Sequence, residues 1–132
     1  MSLDENNKNV AYLCGRLFAV LEKIQKDATS SKLDRTIKDT YFSSASSRPA
    51  SIFPQILKLS THHLAKLEDK NKIFYGKLIS SIIDDIKGEF PKHFRLDDQG
   101  RFIIGYYHQN SNLYKSKEEN KNNYSEENEE EI

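Results

Sequence analysis

From Val10 to Ile24 the apolar side chains recur every three or four residues. At 100° per residue, Val10, Leu13, Cys14, Leu17, Phe18, Leu21 and Ile24 share one face. A strand would bury every second residue instead, so this stretch commits the chain to helical packing. The pattern predicts a first helix from about Asn9 to Ala28, ended by the cluster Thr29-Ser30-Ser31. Tyr12, Arg16, Lys23 and Lys26 fall on the other side and are expected to form its solvated face.

The same spacing continues along the chain. A shorter helix is expected from about Leu33 to Ser44, anchored by Ile37, Tyr41 and Phe42. Pro49 suits the first turn of a third helix with Ser47 or Arg48 at its cap, and Pro54 falls within or just after that turn. This helix, expected to reach about Leu67, carries Ile52, Ile56, Leu59, His63 and Leu67 on one side, with Lys58, His62 and Lys66 opposite. A fourth, from about Lys72 to Lys87, buries Tyr75, Leu78, Ile79, Ile82, Ile83 and Ile86, and Gly88 fits its C-cap. Phe90-Pro91 opens a connector. Asp97 or Asp98 then caps a fifth helix through about Tyr114, with Phe102, Tyr106 and Leu113 on one side and Arg101, His108 and Lys115 on another. Gly100 and Gly105 weaken it by roughly 1 kcal/mol each relative to Ala, a cost that close helix–helix approach would explain.

Composition supports this reading. Twelve Leu and twelve Ile stand against two Val, with five Gly and three Pro, a balance that favours helices over a sandwich or barrel with its many turns. A chain of 132 residues has room for one compact domain. The net charge of zero hides a division. Residues 116–132 hold seven Glu and two Lys, whereas residues 1–115 hold 18 basic and 13 acidic side chains. The tail cannot bury enough surface to offset the entropy of ordering it. The expected architecture is therefore all-α: a single helical bundle of about five helices over 1–115 and a disordered acidic tail over 116–132.

Several classes drop out. No run of about 18 apolar residues is present to span a membrane, and the polar start, Met1 to Asn9, does not read as a signal peptide. The lone cysteine, Cys14, leaves no disulfide framework or cysteine zinc site, which points to a reducing, cytoplasmic setting. His62 and His63 are adjacent and diverge by about 100° on a helix, so they cannot chelate one ion from it. His63 reads as core-facing and hydrogen-bonded to backbone. The carboxylate pairs Asp84-Asp85 and Asp97-Asp98 diverge in the same way. No nucleophile elbow or phosphate-binding glycine loop occurs. Catalysis, a metal and a cofactor are all unexpected.

Positive charge is the more informative signal. Arg16 with Lys23, Lys58 with Lys66, and Arg101 with Lys115 recur on helix faces, and Lys32, Arg35, Lys38 and Arg48 gather around the second helix. Such cations can neutralise phosphates without reading bases. Tyr12, Tyr41 and the tyrosines near Arg101 could stack on unpaired bases. The bland alternative is a solvated surface over core tyrosines.

The motifs so assembled resemble a known family. Asn9-Val-Ala-Tyr-Leu-Cys-Gly-Arg-Leu-Phe-Ala-Val-Leu-Glu-Lys-Ile-Gln25, Arg35-Thr-Ile-Lys-Asp-Thr-Tyr-Phe-Ser-Ser-Ala45, Pro49-Ala-Ser-Ile-Phe-Pro54, His62-His-Leu-Ala-Lys-Leu67 and Asp98-Gln-Gly-Arg-Phe-Ile-Ile-Gly-Tyr-Tyr-His-Gln109 occur in the order and spacing of one region. That region is the C-terminal part of the large subunit of the type I-C CRISPR surveillance complex, Cascade, which is also made separately as the small subunit. The resemblance runs from about Asn9 to Lys115, and the last motif is the most specific. Two departures stand out: the acidic tail is longer than the family pattern, and Thr40 replaces an expected basic residue.

The resemblance implies a helical bundle without a catalytic centre. Copies of it would line the belly of the complex, beside the large subunit and the backbone subunits on the guide RNA. There they would hold the displaced single-stranded non-target DNA. The region that reads the protospacer-adjacent motif would lie N-terminal to this segment. The residues expected to neutralise phosphates are Arg16, Lys23, Arg35, Lys38, Arg48, Lys58, Lys66, Arg101 and Lys115. The alternative is a purely architectural subunit whose faces bind neighbouring protein alone.

Overall fold

The computed structural model describes residues 2–29 and 34–130, with side chains through Lys115. It consists of five helices: α1 (Val10–Ala28), α2 (Ile37–Ser47), α3 (Pro49–Leu64), α4 (Asp69–Ile86) and α5 (Leu96–Glu130). The all-α bundle expected from the periodicity is what forms. The tail over 116–132, expected to be disordered, lies outside the described side chains.

Local chemistry sets most boundaries. Asn9 caps α1 by accepting from the Tyr12 N–H, and Thr29 closes it through a backbone bond to Gln25. Thr36 and Asp39 form a reciprocal capping box, which starts α2 at Ile37, while the expected start at Leu33 lies outside the described residues. The serines expected to end α2 near Ser44 instead continue it to Ser47, with the Ser46 and Ser47 hydroxyls taken up by the Ser43 carbonyl rather than competing from outside the helix. Arg48 is the N-cap of α3 with Pro49 in its first turn. α3 stops at Leu64, short of Leu67, as the bonds from Lys66 to His63 and from Leu67 to Leu64 tighten to the three-residue span. α4 begins a turn earlier than expected, at Asp69. It ends where Lys87 and then Gly88 turn left-handed, φ 64° and 84°, one residue ahead of the expected glycine cap. Asp97 and Asp98 sit inside the first turn of α5 rather than at its cap, still near the positive end of the dipole.

The largest departure concerns α1. It packs against all four other helices and is buried on every side from Ala11 to Gln25. The expected solvated face does not exist: Tyr12, Arg16 and Lys23 are all inside. α1 and α5 cross with their backbones in contact. A Cβ on Gly15 would lie 2.0 Å from the Phe102 carbonyl oxygen, and one on Gly105 would lie 2.1 Å from the Tyr12 carbonyl oxygen. Gly105 thus has the packing role expected of it, whereas nothing approaches Gly100 within 4 Å. Around this crossing Phe18 meets Phe42, Phe53, Phe102 and Tyr106 edge to face, with centroids 5.4 to 6.5 Å apart.

Candidate nucleic-acid interface

A chain with this much charge has to satisfy whatever it buries, since an unpaired polar group in the interior costs about 1–3 kcal/mol. Here no buried side-chain N or O among the described residues lacks a hydrogen-bond partner. Arg16, 5% exposed, donates from Nε to Gln109 Oε1 at 2.9 Å, and burial pulls its pKa down from the usual guanidinium value. Lys23, also 5% exposed, pairs with Asp27 at 2.5 Å, and Asp27 accepts from the Tyr75 hydroxyl at 2.5 Å as well. Glu22 accepts from the Tyr106 hydroxyl and, at 2.8 Å, from Thr36. Gln25 accepts from the Ile37 N–H at 2.8 Å, tying the start of α2 to α1. The Tyr12 hydroxyl accepts from the Asp4 N–H at 3.0 Å and lies 2.9 Å from His108 Nδ1.

Three expectations are corrected by this interior. Arg16 and Lys23 present no charge to solvent, because a neutral amide and a carboxylate already hold them inside the bundle. Tyr12 offers no face for a base. His108 does not join Arg101 and Lys115 on an open face, because it is half-buried against Tyr12.

The other predicted cations are placed differently. Arg35, Arg48, Lys58, Lys66, Arg101 and Lys115 are exposed, and Lys38 is half-buried. Arg101 pairs with Asp98 at 3.1 Å, whereas none of the other six forms an ion pair among the described residues. Lys58 projects from the outer side of α3 beside the exposed His62, and Lys66 lies in the turn beyond it. Lys38 sits over the rings of Phe42, Tyr106 and Tyr107, 5.0 to 5.4 Å from their centroids, and donates to the Tyr107 hydroxyl at 3.3 Å.

The fold also gathers cations that periodicity passed over. Phe94 N–H bonds the Ser47 carbonyl at 2.9 Å and Ala50 N–H bonds the Pro91 carbonyl at 3.0 Å. Phe90 stacks on Phe53 at 4.8 Å beneath them. These contacts lay the connector across the corner between α2 and α3, so the exposed Lys92, His93 and Arg95 flank the same backbone junction as Arg48. The basic run Lys92-His-Phe-Arg95 was the available signal, but a connector has no periodicity to say which way it points.

Groups suited to chemistry are scattered or sealed. Burial pushes the Cys14 thiol up to about 12, which keeps it a packing group. His63 is half-buried, and burial together with Lys66 and His62 lowers its pKa. The backbone bond expected of it is not found among the described residues. Asp85 pairs with Lys8 at 2.8 Å. No group of three or more His, Cys, Asp or Glu among the described residues could hold a metal ion. No described helix is long and apolar enough to cross a membrane.

Fold and surface define the class: an all-α bundle whose interior polar groups are paired and whose free positive charge lies outside. The family model described as CRISPR-associated protein (Cas_Csd1) matches residues 1–114, and the chain belongs to that family. This bears out the resemblance drawn from the motifs. No curated protein matches the chain.

Proposed function

We propose that the chain is the small subunit of a type I-C CRISPR surveillance complex. In this reading it is non-catalytic, works in the cytoplasm and steadies the R-loop by gripping the displaced non-target strand through phosphates. Exchange of a DNA duplex for an RNA–DNA hybrid is nearly balanced in energy, so modest backbone contacts can tip it. A few cations per copy, repeated along the complex, supply such contacts without sequence preference. The carrying observation is the corner where Arg48, Lys92 and Arg95 lie exposed beside the two backbone bonds that join the connector to α2 and α3. Arg35, Lys38, Lys58, Lys66, Arg101 and Lys115 extend the positive surface, while Arg16 and Lys23 leave the set. Contacts to the large subunit, the backbone subunits and further copies suit the exposed apolar side chains Ile73, Phe74 and Leu96, with the guide RNA met only indirectly.

Charge reversal separates this reading from a purely architectural one. Arg48→Glu with Lys92→Glu, and Lys58→Glu with Lys66→Glu, are expected to leave the reconstituted complex assembled while its R-loops dissociate faster. Failure of assembly with either pair would favour the architectural role. An R-loop of unchanged lifetime in an intact complex would overturn the DNA role.

A further inference from the structure

We infer that Tyr107 and Tyr114 are a pair of stacking platforms for unpaired bases, so that the chain holds single-stranded nucleic acid by base faces as well as by phosphates. The inference rests on the nucleic-acid reading above and adds a second kind of contact to it.

The arrangement follows from how α5 lies on the bundle. Phe102, Gly105, Tyr106, Gln109 and Leu113 face inward. Leu96, Ile103, Tyr107 and Tyr114 then fall within about 40° of one another on the outer side. Tyr107 is 41% exposed and Tyr114 38%, in a chain whose other described α1 and α5 tyrosines, Tyr12 and Tyr106, are buried.

Lysine lies beside each exposed ring. Lys38 Nζ lies 5.1 Å from the Tyr107 centroid and bonds its hydroxyl at 3.3 Å. Lys23 and Lys26 lie 5.2 and 5.9 Å from the Tyr114 centroid, and Lys26 reaches its hydroxyl at 3.5 Å. Lysines at these distances restrain each ring's orientation, and part of each ring stays exposed. A ring so restrained loses little conformational entropy when a base covers it.

Spacing and the broken apolar seam favour a nucleic-acid occupant over a protein one. Seven residues of helix set the two rings about 10 Å apart along the axis, close to three base rises of about 3.4 Å. The carboxylates on this side are engaged internally: Glu22 by Tyr106 and Thr36, Asp27 by Lys23 and Tyr75, and Asp39 in the α2 capping box. With Lys26 also 3.8 Å from Glu22, the three lysines at the rings and these three carboxylates balance in charge. A docking helix would want a continuous apolar seam, but Gly100 and Asn110 interrupt this one.

The test is fluorescence anisotropy of the full chain with a labelled oligothymidylate and with an abasic strand of equal length, at stepped salt. Tyr107→Ala and Tyr114→Ala are each expected to weaken oligothymidylate binding roughly tenfold. The salt slope should stay unchanged, because stacking releases no counterions. Tyr→Phe at either position should retain affinity, and abasic binding should be weaker than oligothymidylate binding and indifferent to the alanine changes. Equal wild-type affinity for the two strands would overturn the stacking contact and leave the phosphate reading standing. Equal loss on both strands would also overturn it, by assigning the tyrosines a structural role. Alanine variants that bind DNA normally but fail to enter the complex would make the stripe a protein-docking face and sink the inference. A wild-type chain that binds neither strand, alone or within the complex, would remove both readings.

Discussion

At the scale of single residues, the tightest constraint is the absence of a methyl group. Gly15 and Gly105 face the opposite helix's backbone at distances no Cβ can occupy. Ala at either position would have to push α1 and α5 apart through the centre of the core. Each substitution is expected to cost about 3 kcal/mol, at the upper end of ordinary overpacking. Gly100→Ala on the same helix meets nothing and should gain roughly 1 kcal/mol through propensity alone. Urea unfolding of the three variants checks the contrast. Lys23→Ala deprives Asp27 of a charged partner and should cost about 2 kcal/mol, read by the same urea unfolding. The glycines also show what a local pattern can carry. Gly105 stood out because it weakens a helix. Gly15 did not, since nothing within its own helix says that another backbone passes over it. Arg16 and Lys23 misled for the same reason: a charge between apolar residues looks solvated until a distant Gln109 or Tyr114 is known to enclose it.

At the scale of elements, α1 explains most of what was legible and what was not. Its apolar spacing gave its limits nearly to the residue, because Asn9 and Thr29 cap it locally. Its burial on all sides was hidden, because Gln109, Tyr106, Tyr75 and Ile37, which hydrogen-bond its polar side chains, lie on α5, α4 and α2, although Lys23 and Asp27 pair within α1 itself. That burial has a measurable consequence at high pH. Burial and the Glu22 and Asp27 hydrogen bonds raise the Tyr106 and Tyr75 hydroxyls above the ordinary 10.0, and burial raises the Cys14 thiol from 9.0 to about 12. In each case the folded chain keeps a proton that the unfolded chain releases. Stability is therefore fully present below about pH 9, falls as Cys14 ionises in the unfolded state, and falls more steeply once the tyrosines do so above about pH 10. Each group adds up to about 1.4 kcal/mol per pH unit to the slope. Thermal unfolding between pH 8 and 11 should show this, and Tyr75→Phe should make the descent shallower. A melting temperature that stays flat across that range would contradict the buried hydroxyls.

At the scale of the whole molecule, the division of charge matters more than the net value of zero. The body carries five more basic than acidic side chains, and the segment beyond Lys115 five more acidic than basic. The last inward-facing side chain described on α5 is Leu113, so a chain ending at Lys115 keeps every described core residue. Removing residues 116–132 then takes away the acidic charge and leaves the described core in place. If the acidic segment competes with phosphates for the body's cations, the shortened chain should bind single-stranded DNA several-fold more tightly near 50 mM salt. The gain should fade as the Debye length contracts from about 10 Å at 0.1 M to about 3 Å at 1 M. Anisotropy titrations of both chains across that range give the answer. Parallel salt dependences with equal affinities would mean that the acidic segment leaves the binding surface alone. Curves that converge only at high salt would mean that the chain carries its own restraint on indiscriminate nucleic-acid binding, one that repeated weak phosphate contacts would otherwise lack.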